Sequence, residues 1–123
     1  MKIISTKAHA VLDYLSGVFF IASPWIFGFN DVSTATWIPI LIGATTLVMS
    51  LFTDYEGGIV RSIHMSVHLI VDVVSGVLLV ASPWLFGFAD EVYLPHVILG
   101  IFAIGAGSLT SSNAPHHSPN TIN

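Results

Sequence analysis

The sequence predicts an all-α fold, a four-helix integral membrane bundle built from two tandem parallel-repeat helical hairpins, and three observations carry that expectation. Only 8% of the 123 residues are charged, three Lys+Arg and seven Asp+Glu, where soluble domains carry about 25%. Apolar residues make up 54% of the chain and the mean hydropathy is +0.84, so a water-facing domain of this size could not cover itself with ionic groups. Finally, His9 to Asp31 aligns without gaps to His68 to Asp90, with 13 of 23 positions identical, which marks an internal duplication.

The few charges divide the chain into apolar stretches of about 20 residues, the length that crosses roughly 30 Å of hydrocarbon at 1.5 Å per residue. The first repeat, residues 1–59, holds expected spans at about 8–29 and 36–52; the second, residues 60–110, holds spans at about 66–88 and 92–109. Residues 111–123, rich in Ser, Asn and Pro and carrying His116 and His117, are expected to be a disordered polar tail. The first stretch also has the outline of a signal peptide, but its twin at Val67 to Phe88 sits mid-chain, where that reading makes no sense. An even number of spans per repeat returns the chain to its starting side, so the copies share one orientation, with a pseudo-two-fold axis along the membrane normal. Lys2, Lys7 and Arg61 all fall on the side of the N-terminus, and the loops around Asp31 and Asp90-Glu91 hold no Lys or Arg. By the positive-inside rule both termini are expected in the cytoplasm, with the chain multi-pass in the cell (inner) membrane.

Each first span ends in a repeated motif, Ser23-Pro24-Trp25 and Ser82-Pro83-Trp84, within the longer form ASPWxFGF. Proline removes a backbone donor and clashes with the carbonyl four residues back, so each helix is expected to kink or restart there, with Ser as the cap of the restart. Trp25, Phe27 and Phe29, with Trp84, Phe86 and Phe88, are expected in the aromatic belt of the outer interface. Gly28 and Gly87 would allow the turn into the acidic loop. The motif resembles that of the SPW-repeat integral membrane proteins of bacteria, and the resemblance covers the chain up to about residue 110. It implies a small multi-span membrane protein and carries over no catalytic residue, cofactor or substrate.

A second repeated element lies nearer the N-terminal side of each first span. At about 100° per residue, His9, Asp13, Ser16 and Ser23 fall on one narrow stripe; His68, Asp72, Ser75 and Ser82 repeat it, with His64 one turn before. Gly17 and Gly76 are expected to widen the same seam, turning each first helix toward its twin. Ala103 and Gly107, with Gly100 and Gly105, make a small-residue face on the fourth span. His96 is expected as a polar end at the outer interface.

Ionisable groups inside a span are costly, and His with Asp four residues on can pair to lower that cost. The pairs therefore read first as a polar clasp that fixes helix packing. They read alternatively as a proton- or cation-handling site, or as a metal or haem site drawing on His9, His64, His68 and Asp72. No cofactor is expected; the expected partners are the lipid bilayer and a second copy or another membrane protein, and not nucleic acid, for which three basic residues and a net charge of −4 offer no footing. No phosphate loop, nucleophile elbow or paired-carboxylate pattern appears, so an enzyme is not expected.

Overall fold

The computed structural model describes residues 2–112; the tail from residue 113 on, with His116 and His117, lies outside them. Four helices follow in order, α1 Thr6–Ile26, α2 Ser33–Phe52, α3 Met65–Leu85 and α4 Leu94–Leu109. Three are long and apolar enough to cross a membrane, and α4, 16 residues long, is a shorter apolar helix beside α3. Large apolar side chains face outward from every helix, among them Val18, Leu41, Val74 and Ile101. In water such a surface would aggregate; against acyl chains it is the expected exterior.

Local chemistry sets the helix ends. The Ser5 hydroxyl accepts the Ala8 N–H at 3.1 Å and so caps α1. At the other end, α1 and α3 do not restart at the prolines. Each runs on two residues past its proline and stops earlier than the expected span, because Gly28 and Gly87 take positive φ of 73° and 77°. The Phe29 N–H then donates to the Pro24 carbonyl at 2.8 Å, and the Phe88 N–H to the Pro83 carbonyl at 2.7 Å, the six-to-one bond of a Schellman turn. That turn swings Phe29 and Phe88 inward, where they are buried; only Trp25, Phe27, Trp84 and Phe86 stay exposed as the belt requires.

Ser23 and Ser82 have a different task from capping. Pro24 offers no N–H to the Phe20 carbonyl, and Pro83 none to the Leu79 carbonyl. The Ser23 hydroxyl donates to Phe20 O, and the Ser82 hydroxyl to Leu79 O, each at 2.7 Å. Each serine thus replaces the donor that its neighbour removed, and the helix passes through the proline with its carbonyl satisfied.

α1 packs along α2 and α3 along α4, with lighter contacts between α2 and α3 and between α1 and α4. The glycines close each hairpin instead of widening the seam toward the twin. A Cβ on Gly43 would sit 2.6 Å from the Gly17 carbonyl oxygen, and one on Gly76 2.7 Å from that of Gly100. The reason is angular: Gly17 lies eight residues after His9, about 80° off the polar stripe, and therefore faces α2. Gly107 likewise packs on α3 against Leu69 and Val73, whereas Gly105 faces open space.

The interior is layered along the bundle. Nearest the N-terminal side lie the ionisable residues with Tyr55 and Met65; next come Ser16, Ser75 and Thr46; then an apolar layer of Phe20, Leu79 and Leu99; and last Phe29, Ala35 and Phe88 around His96. The ends of the described chain meet on one side, since Ile4 N–H donates to Leu109 O at 2.9 Å and Ser111 N–H to Ile4 O at 3.0 Å. Ile63, the counterpart of Ile4, pairs with Thr53 at the end of α2.

Candidate functional site

Helical spacing brings His9 and Asp13 together on α1 and His68 and Asp72 on α3, because residues four apart stack on one face. The pairs do not remain within their helices. His9 Nε2 lies 3.0 Å from Asp13 Oδ1 and 2.8 Å from Asp72 Oδ2, while His68 Nε2 lies 3.0 Å from Asp13 Oδ2 and 3.4 Å from Asp72 Oδ2. The four side chains form a closed ring with the imidazoles edge to face at 5.3 Å. Both histidines are fully buried and both aspartates nearly so.

Two threonines fix the state of the imidazoles. Thr110, at the end of α4, stands 2.7 Å from His9 Nδ1, and Thr53, at the end of α2, stands 2.7 Å from His68 Nδ1. Each threonine hydroxyl donates its single hydrogen to its own helix, Thr110 to Ala106 O and Thr53 to Met49 O. Toward the ring it can therefore only accept, so both Nδ1 atoms carry the hydrogen and both Nε2 atoms face the carboxylates. One further proton per histidine then belongs to the group of Nε2 atoms and carboxyls, that of His9 lying between Nε2 and Asp72 Oδ2. Whether that proton rides on nitrogen or on oxygen, two histidines, two aspartates and two such protons sum to zero charge, which limits the cost of burying them.

The two aspartates are not equivalent. Tyr55, in the loop after α2, donates its hydroxyl to Asp13 Oδ2 at 2.7 Å. Burial, and secondarily the charge of Asp13, pushes the Tyr55 phenol up from its ordinary range, so it remains a donor. The same loop is pinned by Tyr14 Oη to Gly57 O and by Thr6 Oγ1 to Glu56 Oε1, both at 2.7 Å. His68 Nε2, although close to both carboxylates, meets neither along the line of an N–H···O bond and is left without a hydrogen-bond partner.

Above the carboxylates is a cavity of about 20 Å³ lined by Asp13, Asp72, Ser16, Ser75, Thr46 and Phe20, among others. It is large enough for one water-sized group and far too small for a haem. Of the stripe, Ser16 and Ser75 thus line the space over the ring, while Ser23 and Ser82 serve the prolines further out. His64 does not join: it is the exposed N-terminal cap residue of α3, in the place that Ser5 holds before α1.

At the opposite end His96 is fully buried between Phe29 and Phe88, each ring 4.9 Å away, and is not an interfacial polar end. Its Nε2–H donates to Ala35 O at 2.8 Å, which is the carbonyl that Pro39 leaves without a donor. A third proline in the bundle is thus compensated by a side chain, here from the other hairpin.

Thr53, Thr110 and Tyr55 are site residues that sequence reasoning missed. The threonines end the second helix of each repeat, 57 positions apart, as Gly43 and Gly100 are; a gapless comparison at the first-helix offset of 59 passes over them. Tyr55 has no counterpart in the second copy among the described residues.

A protein-family model described as the SPW repeat domain matches residues 7–110, both hairpins together. No curated protein and no solved structure matches the chain.

Proposed function

The chain belongs to the SPW repeat domain family, and from that premise we propose that this membrane protein is a small structural or accessory component of the cell (inner) membrane, acting by helix packing with itself or another membrane protein. Its His–Asp ring is the clasp that docks one hairpin on the other. One observation carries this reading: the shortest contacts of both histidines cross between the repeats, His9 to Asp72 and Thr110, His68 to Asp13 and Thr53. Each histidine takes its nearest carboxylate and its Nδ1 acceptor from the other hairpin, so the ring is complete only in the paired arrangement. Lys2, Lys7 and Arg61 lie on the ring's side of the bundle, which by the charge rule for loops faces the cytoplasm. The outward apolar side chains leave the partner surface to lipid or to a further helix.

A proton relay finds less support, because the layer beyond the ring and its small cavity, Phe20, Leu79 and Leu99, is apolar. The test is thermal unfolding of the full chain in detergent with a chelator present, comparing wild type with Asp13→Asn and with Asp13→Asn/Asp72→Asn. Breaking a buried pair costs about 3–5 kcal/mol, so both variants should melt well below wild type. In vesicles loaded with a pH dye, wild type and double variant should give the same trace. An unchanged melting temperature, or a proton flux that the double variant abolishes, would overturn the clasp.

A further inference from the structure

We propose that the same ring is a binding site for one divalent first-row transition ion, of the four-coordinate Zn²⁺ type, held by His9 Nε2, His68 Nε2 and one oxygen each of Asp13 and Asp72. The proposal takes its geometry from the ring described above and does not need the clasp to be the protein's main role. The ligand atoms of the four buried residues lie within 4.8 Å of one another. Around a tetrahedral ion with bonds of about 2.0–2.1 Å, neighbouring ligand atoms stand about 3.3 Å apart. The nitrogen-to-oxygen contacts here run from 2.8 to 3.4 Å, close to that spacing, and an ion would draw the wider pairs, none beyond 4.8 Å, together around it.

Two further observations point to a ligand and are independent of that spacing. His68 Nε2 is fully buried, aimed into the ring and without a hydrogen-bond partner. Both Nδ1–H groups are committed to threonine oxygens, the outer-shell arrangement that presents the Nε2 lone pair of a neutral imidazole to a metal. Tyr55 supplies the matching outer-shell bond to Asp13. An ion would take the place of the two protons otherwise shared among the imidazoles and carboxyls, and two carboxylates would neutralise its two charges inside the membrane. Imidazole nitrogen with carboxylate oxygen and no thiolate suits Zn²⁺ and its neighbours over soft ions.

The experiment is a Co²⁺ titration of the chelator-stripped full chain in detergent, in a His116→Ala/His117→Ala background that removes the tail's own imidazoles. One Co²⁺ per chain should bind with the visible absorption of a four-coordinate site, and Zn²⁺ should displace it. His68→Gln should abolish the band, His64→Ala should leave it intact, and Thr53→Val should weaken binding by about 10–100-fold through the loss of its outer-shell acceptor. No stoichiometric binding by the folded chain overturns the proposal. So does a band that survives His68→Gln, binding that disappears with His116 and His117, or an affinity indifferent to Thr53→Val. Because the clasp is tested in chelator, a failed titration beside destabilised aspartate variants removes the metal and leaves the clasp standing.

Discussion

Removal of the Ser82 hydroxyl should destabilise the protein only so long as residue 83 is proline. In the native helix the Leu79 carbonyl has lost its backbone donor to Pro83 and takes the Ser82 hydroxyl instead, at 2.7 Å, with Ser82 fully buried. Ser82→Ala leaves that carbonyl bare in a medium without water. A buried group left unsatisfied costs about 1–3 kcal/mol, whereas side-chain bonds between membrane helices average about 0.6 kcal/mol, with a maximum near 1.7. The lower average reflects partners that polar groups find elsewhere. A carbonyl inside an intact helix has no such freedom, so the expected loss is about 1–2 kcal/mol. Pro83→Ala restores the N–H that the Leu79 carbonyl lacks. In that background Ser82→Ala should cost almost nothing, and nearly the whole effect should appear as coupling. The assay is a double-mutant cycle over Ser82 and Pro83 by reversible unfolding in mixed micelles, repeated at Ser23 and Pro24. Equal costs of Ser82→Ala with and without the proline, meaning a coupling below about 0.5 kcal/mol, would refute the donor-replacement argument.

Packing, backbone conformation and burial set the remaining expected outcomes. Gly100→Ala places a Cβ 2.5 Å from Val80 Cγ2 and 2.7 Å from Gly76 O; overpacking of this kind costs about 1–3 kcal/mol, while Gly105→Ala, which meets nothing within 4 Å, should be neutral or stabilising by up to about 1 kcal/mol, and thermal unfolding of the two side by side checks the contrast. Gly87→Ala should cost about 1–2 kcal/mol, since φ there is 77°, read as a lowered melting temperature. Tyr55→Phe removes a donor to a carboxylate and should cost about 1.5–3 kcal/mol near neutral pH. The phenol's value is raised in the folded state, so its contribution is complete below about pH 10, where free tyrosine titrates, and is lost as pH climbs further. The alkaline decline in stability should therefore be shallower in Tyr55→Phe than in wild type.

Composition and repeat together made most of the architecture readable in advance: lipid as the medium, two hairpins, and His9, Asp13, His68 and Asp72 on facing stripes. What stayed hidden has physical causes. Helical periodicity places a residue on a face but does not say which neighbour that face meets, so it sets Gly17 and Gly76 toward the twin although they close their own hairpins. Ser-Pro is a start signal where no preceding helical turn leaves a carbonyl in need of the missing N–H; inside a continuing helix the same dipeptide is a self-contained repair. His96 and Ala35 could be linked only through the position of Pro39, in the other hairpin. The shift of two residues between first-helix and second-helix offsets concealed Thr53 and Thr110, and Tyr55 lies in a loop where periodicity has nothing to say.

The crossed ring also imposes a schedule on biogenesis. His9 finds its acceptor in Thr110, 101 residues further along the chain, so when the leading hairpin leaves the ribosome its imidazole and the Asp13 carboxyl enter the bilayer before their counterparts on the trailing hairpin have emerged. Folding of the leading half can be completed only in retrospect, at the moment the last helix is released. A nascent chain stalled before residue 110 would hold its costliest polar groups open to whatever insertion factor or protease stands nearby, and the finished protein, once locked, would offer neither of them a handle.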